Sequence, residues 1–331
     1  MRIGFVITRA ASLDVTWTTP ALVLAALDRG HEVRLIERTD FEVDASGRLV
    51  ARAWALDPPA PSVDSLVQML NRRVARRTYV DIGRLDLMLL RSAPLTPDLL
   101  TFAALARDLG VRVINDPDGI MRVNSKAWLA HLPDVPTPDS LVTRSAAAAG
   151  VFYDAQRGGV VVKPARGSGG RAVSFVPPRQ NRQFERAFET ARRPGGHVVV
   201  QAYLPAAEVG EKRLLWLDGH ILGGYLRRRA PGEFRHNLKQ GATAEPTQVT
   251  DGERALLAPL APHLLKAGIR FAGLDLIGDH LVEVNALNPG GTFHTDRLSG
   301  SRHAATVIQH FEQRTAQSAA LENSPWAPPV P

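Results

Sequence analysis

Apolar residues along this chain fall into short runs divided by polar turns, and their spacing alternates between strand and helix periods. Residues 2–8 (RIGFVIT) read as a buried strand. Residues 19–29 carry apolar positions at helical spacing, with Thr18 or Thr19 as N-cap, Pro20 near the first helical position and Gly30 as the stop. Residues 31–37 alternate as a strand. LDLMLLRS (85–92) and VRVIND (111–116) read as further strands, with a helix predicted between them over 97–109. This strand–helix–strand rhythm predicts a parallel α/β sheet with crossover helices. Residues 39–62 are less regular. A polar turn at Ala45-Ser46-Gly47 and the Pro-rich LDPPAPS predict a surface hairpin and a loop.

After about residue 117 the organisation changes. A helix is predicted around 117–131, a strand over 139–143 and a helix over 145–156. GVVVKPARGSGGRAVSFV (159–176) reads as strand, Gly-rich turn, strand, which differs from a P-loop because no helix follows the glycines. A helix over 180–192 leads to a strand over 197–204. Residues 211–228 form two strands around Asp218-Gly219. Residues 230–247 are polar and loop-like, 251–267 helical, and 271–285 a β-hairpin. The tail beyond about 315 ends in PWAPPVP and is expected to be disordered. No internal repeat is apparent.

Composition narrows the class. The 331 residues suffice for two or three packed units, with hydrophobic and charged fractions of 44% and 22% typical of a soluble globular protein. The net charge of +7 suits an anionic partner. Arginines cluster at 72–77 and 227–229, yet no aromatic interleaving or nucleic-acid motif accompanies them, so small anionic substrates are expected rather than nucleic acid. The chain has no cysteine, which excludes disulfides and thiolate chemistry. No signal peptide and no membrane-length apolar run is evident, so a cytoplasmic location is expected.

Four groups of residues carry chemistry. In the hairpin FAGLDLIGDHLVEVN, Asp275, Glu283 and Asn285 interrupt an apolar pattern. Glu283 and Asn285 share a strand face about 7 Å apart, and Asp275 lies on the partner strand. Such a hard oxygen set suits Mg²⁺ bound alongside phosphates. In the second group, Lys163 ends a buried strand next to Gly167, Ser168, Gly169 and Gly170. Glycines allow backbone N–H groups to approach phosphate oxygens. Third, the backbone of Gln201–Leu204, including Tyr203, could meet an adenine edge, and Glu211 a ribose hydroxyl. Arg229, Arg235, Asn237 and Lys239 make the 230–247 loop a candidate lid over phosphoryl groups.

The ordered set of Lys126, strand-KP with its Gly-rich loop, Q-x-Y-L, E-K-R, R-x-N-L and GLD…EVN resembles the ATP-grasp superfamily, and most closely the bacterial glutathione synthetases. The resemblance spans nearly the whole chain. It implies an N-terminal α/β pre-ATP-grasp domain (1–122), a two-part α+β ATP-grasp with antiparallel sheets (123–200 and 201–315) and a tail (316–331). It also implies ATP-dependent carboxylate–amine ligation through an acyl phosphate. Lys126 and Lys163 would hold phosphates, and Asp275, Glu283 and Asn285 two Mg²⁺ ions, with Mn²⁺ as an alternative. Arg229 would stabilise the acyl phosphate and the tetrahedral intermediate, with Arg235 also assigned a catalytic role. A homo-oligomer is expected by the same resemblance.

Departures from the family concern the substrate. Arg91-Ser92-Ala93-Pro94 stands where those enzymes carry a basic-acidic stretch. Asn288, Pro289, Gly290, Gly291 and Thr292 replace an S/T-rich continuation. The Pro-Gly-Gly turn is expected to present backbone N–H groups to a carboxylate, in the region where the acceptor amine lies in the resembled enzymes. Arg91, Ser92 and Arg213 are placed with the substrate. Two alternatives accompany glutathione synthesis: a ligase for another amino-acid or peptide pair, and a non-catalytic nucleotide-binding regulator.

Overall fold

A computed structural model describes residues 1–56, 62–72, 75–167, 169–193 and 196–322. The chain divides into two compact units, Met1–Asp118 with Leu287–Pro331, and Gly119–Ala286.

The first unit opens with β1 (Arg2–Ile7), α1 (Thr18–Asp28), β2 (Glu32–Val43), β3 (Leu49–Leu56), α2 (Val63–Asn71), β4 (Arg77–Asp81), β5 (Leu87–Leu90), α3 (Pro97–Asp108) and β6 (Arg112–Ile114). The strands form one sheet in the order β4-β3-β2-β1-β5-β6. Strands β2, β1, β5 and β6 run parallel, as the rhythm predicts, and β3 and β4 add antiparallel strands at one edge. The irregular stretch thus extends the sheet, with β2 running six residues past the predicted end at 37. Helix α2 and strand β4 were not predicted. Part of the arginine cluster belongs to that edge: Arg77 stacks 5.0 Å above the Trp54 ring and pairs with Asp40. Arg73 lies outside the described residues.

Helix α4 (Pro117–Val123) spans the division between the units. In the second unit, α5 (Lys126–Ala130) is separate from α4, so the single helix predicted over 117–131 is two. There follow β7 (Ser140–Thr143), α6 (Ala146–Ala155), β8 (Val160–Pro164), β9 (Ser174–Val176), α7 (Asn181–Arg192) and β10 (Val198–Ala202). Strands β7-β10-β8-β9 form an antiparallel sheet. Helix α7 places Phe184, Ala187, Phe188 and Ala191 at i, i+3, i+4 and i+7, one stripe of its surface. With Tyr153 and Ala149 of α6 they bury Val160, Val162, Val198 and Val200. The strand period of two then turns Lys163 and Gln201 to the opposite face, where both remain buried.

The second sheet of this unit is also antiparallel. Its strands are β11 (Glu211–Leu217), β12 (His220–Arg228), β13 (Thr243–Pro246), β14 (Phe271–Ile277) and β15 (His280–Asn285), in the order β13-β12-β11-β14-β15. Between β13 and β14 the predicted helix over 251–267 is two, α8 (Asp251–Leu257) and α9 (Leu260–Lys266), because Pro259 offers no N–H to continue the ladder. The 230–247 loop carries a 3₁₀ turn at Leu238–Gln240 as well as β13. Beyond β15, α10 (Thr292–Ser299) and α11 (His303–Glu322) belong to the first unit. The tail expected to be disordered is helical to Glu322, and 323–331 lie outside the described residues.

Candidate active site

Strand register gathers the predicted metal residues. Asp275 pairs across the hairpin with Glu283, and Gly273 with Asn285, so all three side chains share one face. Asn285 Nδ2 donates to Asp275 Oδ2 at 3.0 Å. The same face continues onto β11, where Arg213 is the partner of Asp275 and grips it through two N–H groups, Nη2 at 2.8 Å from Oδ2. The guanidinium lies across Gly273, where a Cβ would stand 3.2 Å from Arg213 Cδ. Arg227 on β12 bridges Asp275, at 2.6 Å, and Glu211.

These contacts fix the electrostatics. Burial alone would raise Asp275, yet Arg213 and Arg227 hold its carboxyl well below the usual carboxylate range. Burial dominates for Glu211 and pushes it well above that range. Asp275 adds repulsion and competes for the same Arg227, whose attraction does not offset both.

Arg227 was missed in the sequence, where Arg227-Arg228-Arg229 gives no phase. The available signal was alternation on β12: Tyr225 and Arg227 are buried toward Asp275, and Arg228 points away to Glu245. Arg229, one of the two predicted catalytic residues, lies past the strand end and pairs with Glu208, which also accepts from the Tyr203 hydroxyl at 2.7 Å. Asp275 is therefore met by Arg213 and Arg227, and the only ion pair of Arg229 among the described residues is with Glu208.

Lys163 sits on the neighbouring sheet and Lys126 at the start of α5. Lys163 Nζ donates to Gln201 Oε1 at 2.9 Å, and Gln201 Nε2 to Ser140 Oγ at 2.9 Å. Burial lowers Lys163 to about 8, with Lys126 adding repulsion. The Gln201 side chain is thus committed to Lys163, and the Tyr203 N–H to the Gly159 carbonyl at 3.1 Å. What remains for an adenine edge is other backbone of Tyr203 and Leu204, and the Leu204 carbonyl already accepts from Ala207. Lys126 begins α5 with its N–H on Ala165 O. Its Nζ reaches Gly167 O at 3.2 Å and Glu283 Oε1 at 3.0 Å, joining the Gly-rich loop to the metal strand. Gly169 and Gly170 hold left-handed φ values of 73° and 70°, and Ser168 lies outside the described residues. Arg235 Nη1 donates to Gly170 O at 3.1 Å, so the candidate lid touches the Gly-rich loop. Asn237 Oδ1 accepts from the Lys239 N–H and caps the lid's own turn.

The remaining predicted residues lie in the first unit. Arg91 is buried and donates through Nε to Thr19 Oγ1 at 3.2 Å and through Nη2 to Pro289 O at 2.9 Å. Burial lowers it to about 9. Ser92, also buried, bonds the Thr8 hydroxyl at 3.1 Å. The Pro-Gly-Gly turn differs from expectation. The N–H groups of Gly291 and Thr292 both donate to Thr18 Oγ1, at 3.1 and 3.3 Å, so they are already used within the protein. Asn288 Oδ1 is buried with no partner among the described residues.

A divalent ion fits this face. Asp275, Glu283 and Asn285 offer hard oxygens on paired strands, with Glu283 paired to Lys126 and Asp275 to Arg213 and Arg227. Two antiparallel sheets presenting lysines, a Gly-rich turn and acidic strands define an ATP-grasp ligase, an ATP-dependent enzyme that forms amide bonds. The family models for the N-terminal and ATP-grasp domains of prokaryotic glutathione synthetase match residues 1–121 and 125–300.

The glutathione synthetase of Synechococcus elongatus is 32% identical over 319 residues, covering 91% of this chain and 94% of its own. That of a Nostoc species is 30% identical over 328 residues, covering 95% and 98%. Among solved structures, a D-cycloserine synthetase superposes with a TM-score of 0.69 at 19% identity, covering 95% of this chain and 99% of its own. A D-alanyl-alanine synthetase from Vibrio cholerae gives 0.59 at 15%, covering 96% and 98%. The chain belongs to the prokaryotic glutathione synthetase family, whose members use ATP and a divalent metal. No helix among the described residues is long and apolar enough to cross a membrane.

Proposed function

We propose that the chain joins the carboxylate of γ-glutamylcysteine to the amine of glycine through an acyl phosphate. The observation that carries this reading is the match to glutathione synthetases along nearly the whole chain, together with the acidic face and two lysines of the second unit. Lys126, Lys163 and the Gly-rich loop hold the phosphates. The backbone of Tyr203 and Leu204 meets adenine, and Glu211 reaches ribose only by giving up Arg227. Asp275, Glu283 and Asn285 hold two Mg²⁺ ions, for which Mn²⁺ can substitute, and these neutralise phosphate charge when bound. Arg227 and Arg213, once released from Asp275, match the oxygens of a transferring phosphoryl group. Positioning and charge neutralisation then account for most of the rate. A cytoplasmic homo-oligomer acting on small molecules accompanies this reading.

A second reading keeps the chemistry and changes the substrates to another amino-acid or peptide pair. Ser92 turned onto Thr8 and the sealed 289–292 turn favour it. Phosphate release with ATP, Mg²⁺ and a substrate panel separates the two. Turnover confined to γ-glutamylcysteine with glycine supports the first, and turnover confined to other pairs supports the second. No turnover with any pair, alongside tight ATP binding, would restore the non-catalytic alternative.

A further inference from the structure

Helix α1 does not use the hydroxyl expected at its start. Its N-cap is Trp17, without a side-chain cap. Thr18, 3% exposed, instead directs its hydroxyl to a turn 273 residues away, where Oγ1 accepts from Gly291 N–H and also bonds Thr292 Oγ1 at 3.0 Å. Thr292 is fully buried. The next residue holds the other end of the turn, since Thr19 accepts from Arg91, and Arg91 donates to Pro289 O. Gly290-Gly291 has little conformational preference of its own, and Gly291 sits at φ +126°. The N–H side of this turn is therefore held from outside by Thr18, while Arg91, itself oriented by Thr19, holds the Pro289 carbonyl and Thr295 of α10 the Gly291 carbonyl.

On the reading that residues 288–292 meet the acceptor substrate, we propose that Thr18 is a positioning residue that sets the turn and through it the choice of acceptor amine. Thr18→Val keeps the volume and removes the hydroxyl, so the buried Thr292 N–H and the part-buried Gly291 N–H lose their acceptor. Thr18→Ser keeps the hydroxyl.

With γ-glutamylcysteine, glycine and ATP, Thr18→Val is expected to raise KM for glycine by about tenfold and to narrow discrimination against alanine, with KM for ATP unchanged. Thr18→Ser should return to within about twofold of the parent. Hydrogen exchange gives a reading independent of substrate: the Gly291 and Thr292 amides should exchange faster in Thr18→Val and stay protected in Thr18→Ser. If Thr18→Val melts early, Thr18→Ala carries the same expectations. Equal changes in both KM values, or unaltered exchange at 291–292, would overturn the proposal. Asn288→Ala isolates the underlying reading. If it shifts KM for glycine and Thr18→Val does not, Thr18 is not the positioning residue. If Asn288→Ala shifts neither KM, the turn is not at the acceptor.

Discussion

At the scale of single residues, Lys163 combines burial with a neutral partner. Its lowered value of about 8, against an ordinary 10.5, has a definite sign. Between those values the unfolded chain holds more protons than the folded one, so this group's contribution to stability rises with pH in that window. Phosphate oxygens would restore the proton. ATP binding at pH 8.5 is therefore expected to take up a fraction of a proton, visible as a dependence of calorimetric heat on buffer ionisation enthalpy. Lys163→Arg should abolish that dependence, and its persistence would mean another group titrates. Gln201→Leu, which removes the acceptor that orients Lys163, should weaken ATP binding without touching the face around Asp275. The two arginines make a sharper contrast. Arg227→Met is expected to lower kcat by about 10²–10³, as loss of a preorganised charge does, and Arg229→Met by only a few-fold. The reverse order would put the catalytic guanidinium past the end of β12. Lys163, Asp275, Glu283 and Asn285 were legible because each breaks an apolar strand pattern. Arg227 was not, because three successive arginines hide which one the pleat turns inward.

At the scale of elements, legibility followed burial. The valine-rich strands β8 and β10 and the striped helix α7 carry their own period, since each must bury one face. Phe188 is at the centre of that layer, and Phe188→Ala should cost about 3–5 kcal/mol in urea unfolding, the range for deleting a buried aromatic ring. A cost below about 1 kcal/mol would mean the layer closes over the gap. Strand β4 was illegible for the opposite reason. It is an edge strand whose Tyr79 is 66% exposed and whose Arg77 covers Trp54, so it lacks the inward apolar residues that announce a strand. The break at Pro259 was visible as a residue, but the apolar spacing continues across it, and spacing alone joined α8 to α9. The hydroxyl of Thr18 shows the same limit: local sequence assigns it to its own helix, whereas a partner 273 residues away claims it.

At the scale of the whole molecule, ligand binding and folding are linked, because a ligand that binds only the native state stabilises it by mass action. At a hundred times its Kd, ATP with Mg²⁺ should add about 2.7 kcal/mol to the unfolding free energy. Glu283 tests whether that linkage runs through the acidic face. Its side chain is 34% exposed and its ion pair is with Lys126, so Glu283→Gln should change the stability of the free protein by no more than about 1 kcal/mol. The same variant removes a charged donor from the face that would hold the metal. Its stabilisation by ATP with Mg²⁺ should therefore fall toward that given by ATP alone, and phosphate release should cease. Retained ATP–Mg²⁺ stabilisation with undiminished phosphate release would place the metal elsewhere. An unfolded variant would instead show that the Lys126 contact, which joins the Gly-rich loop to β15, is structural first.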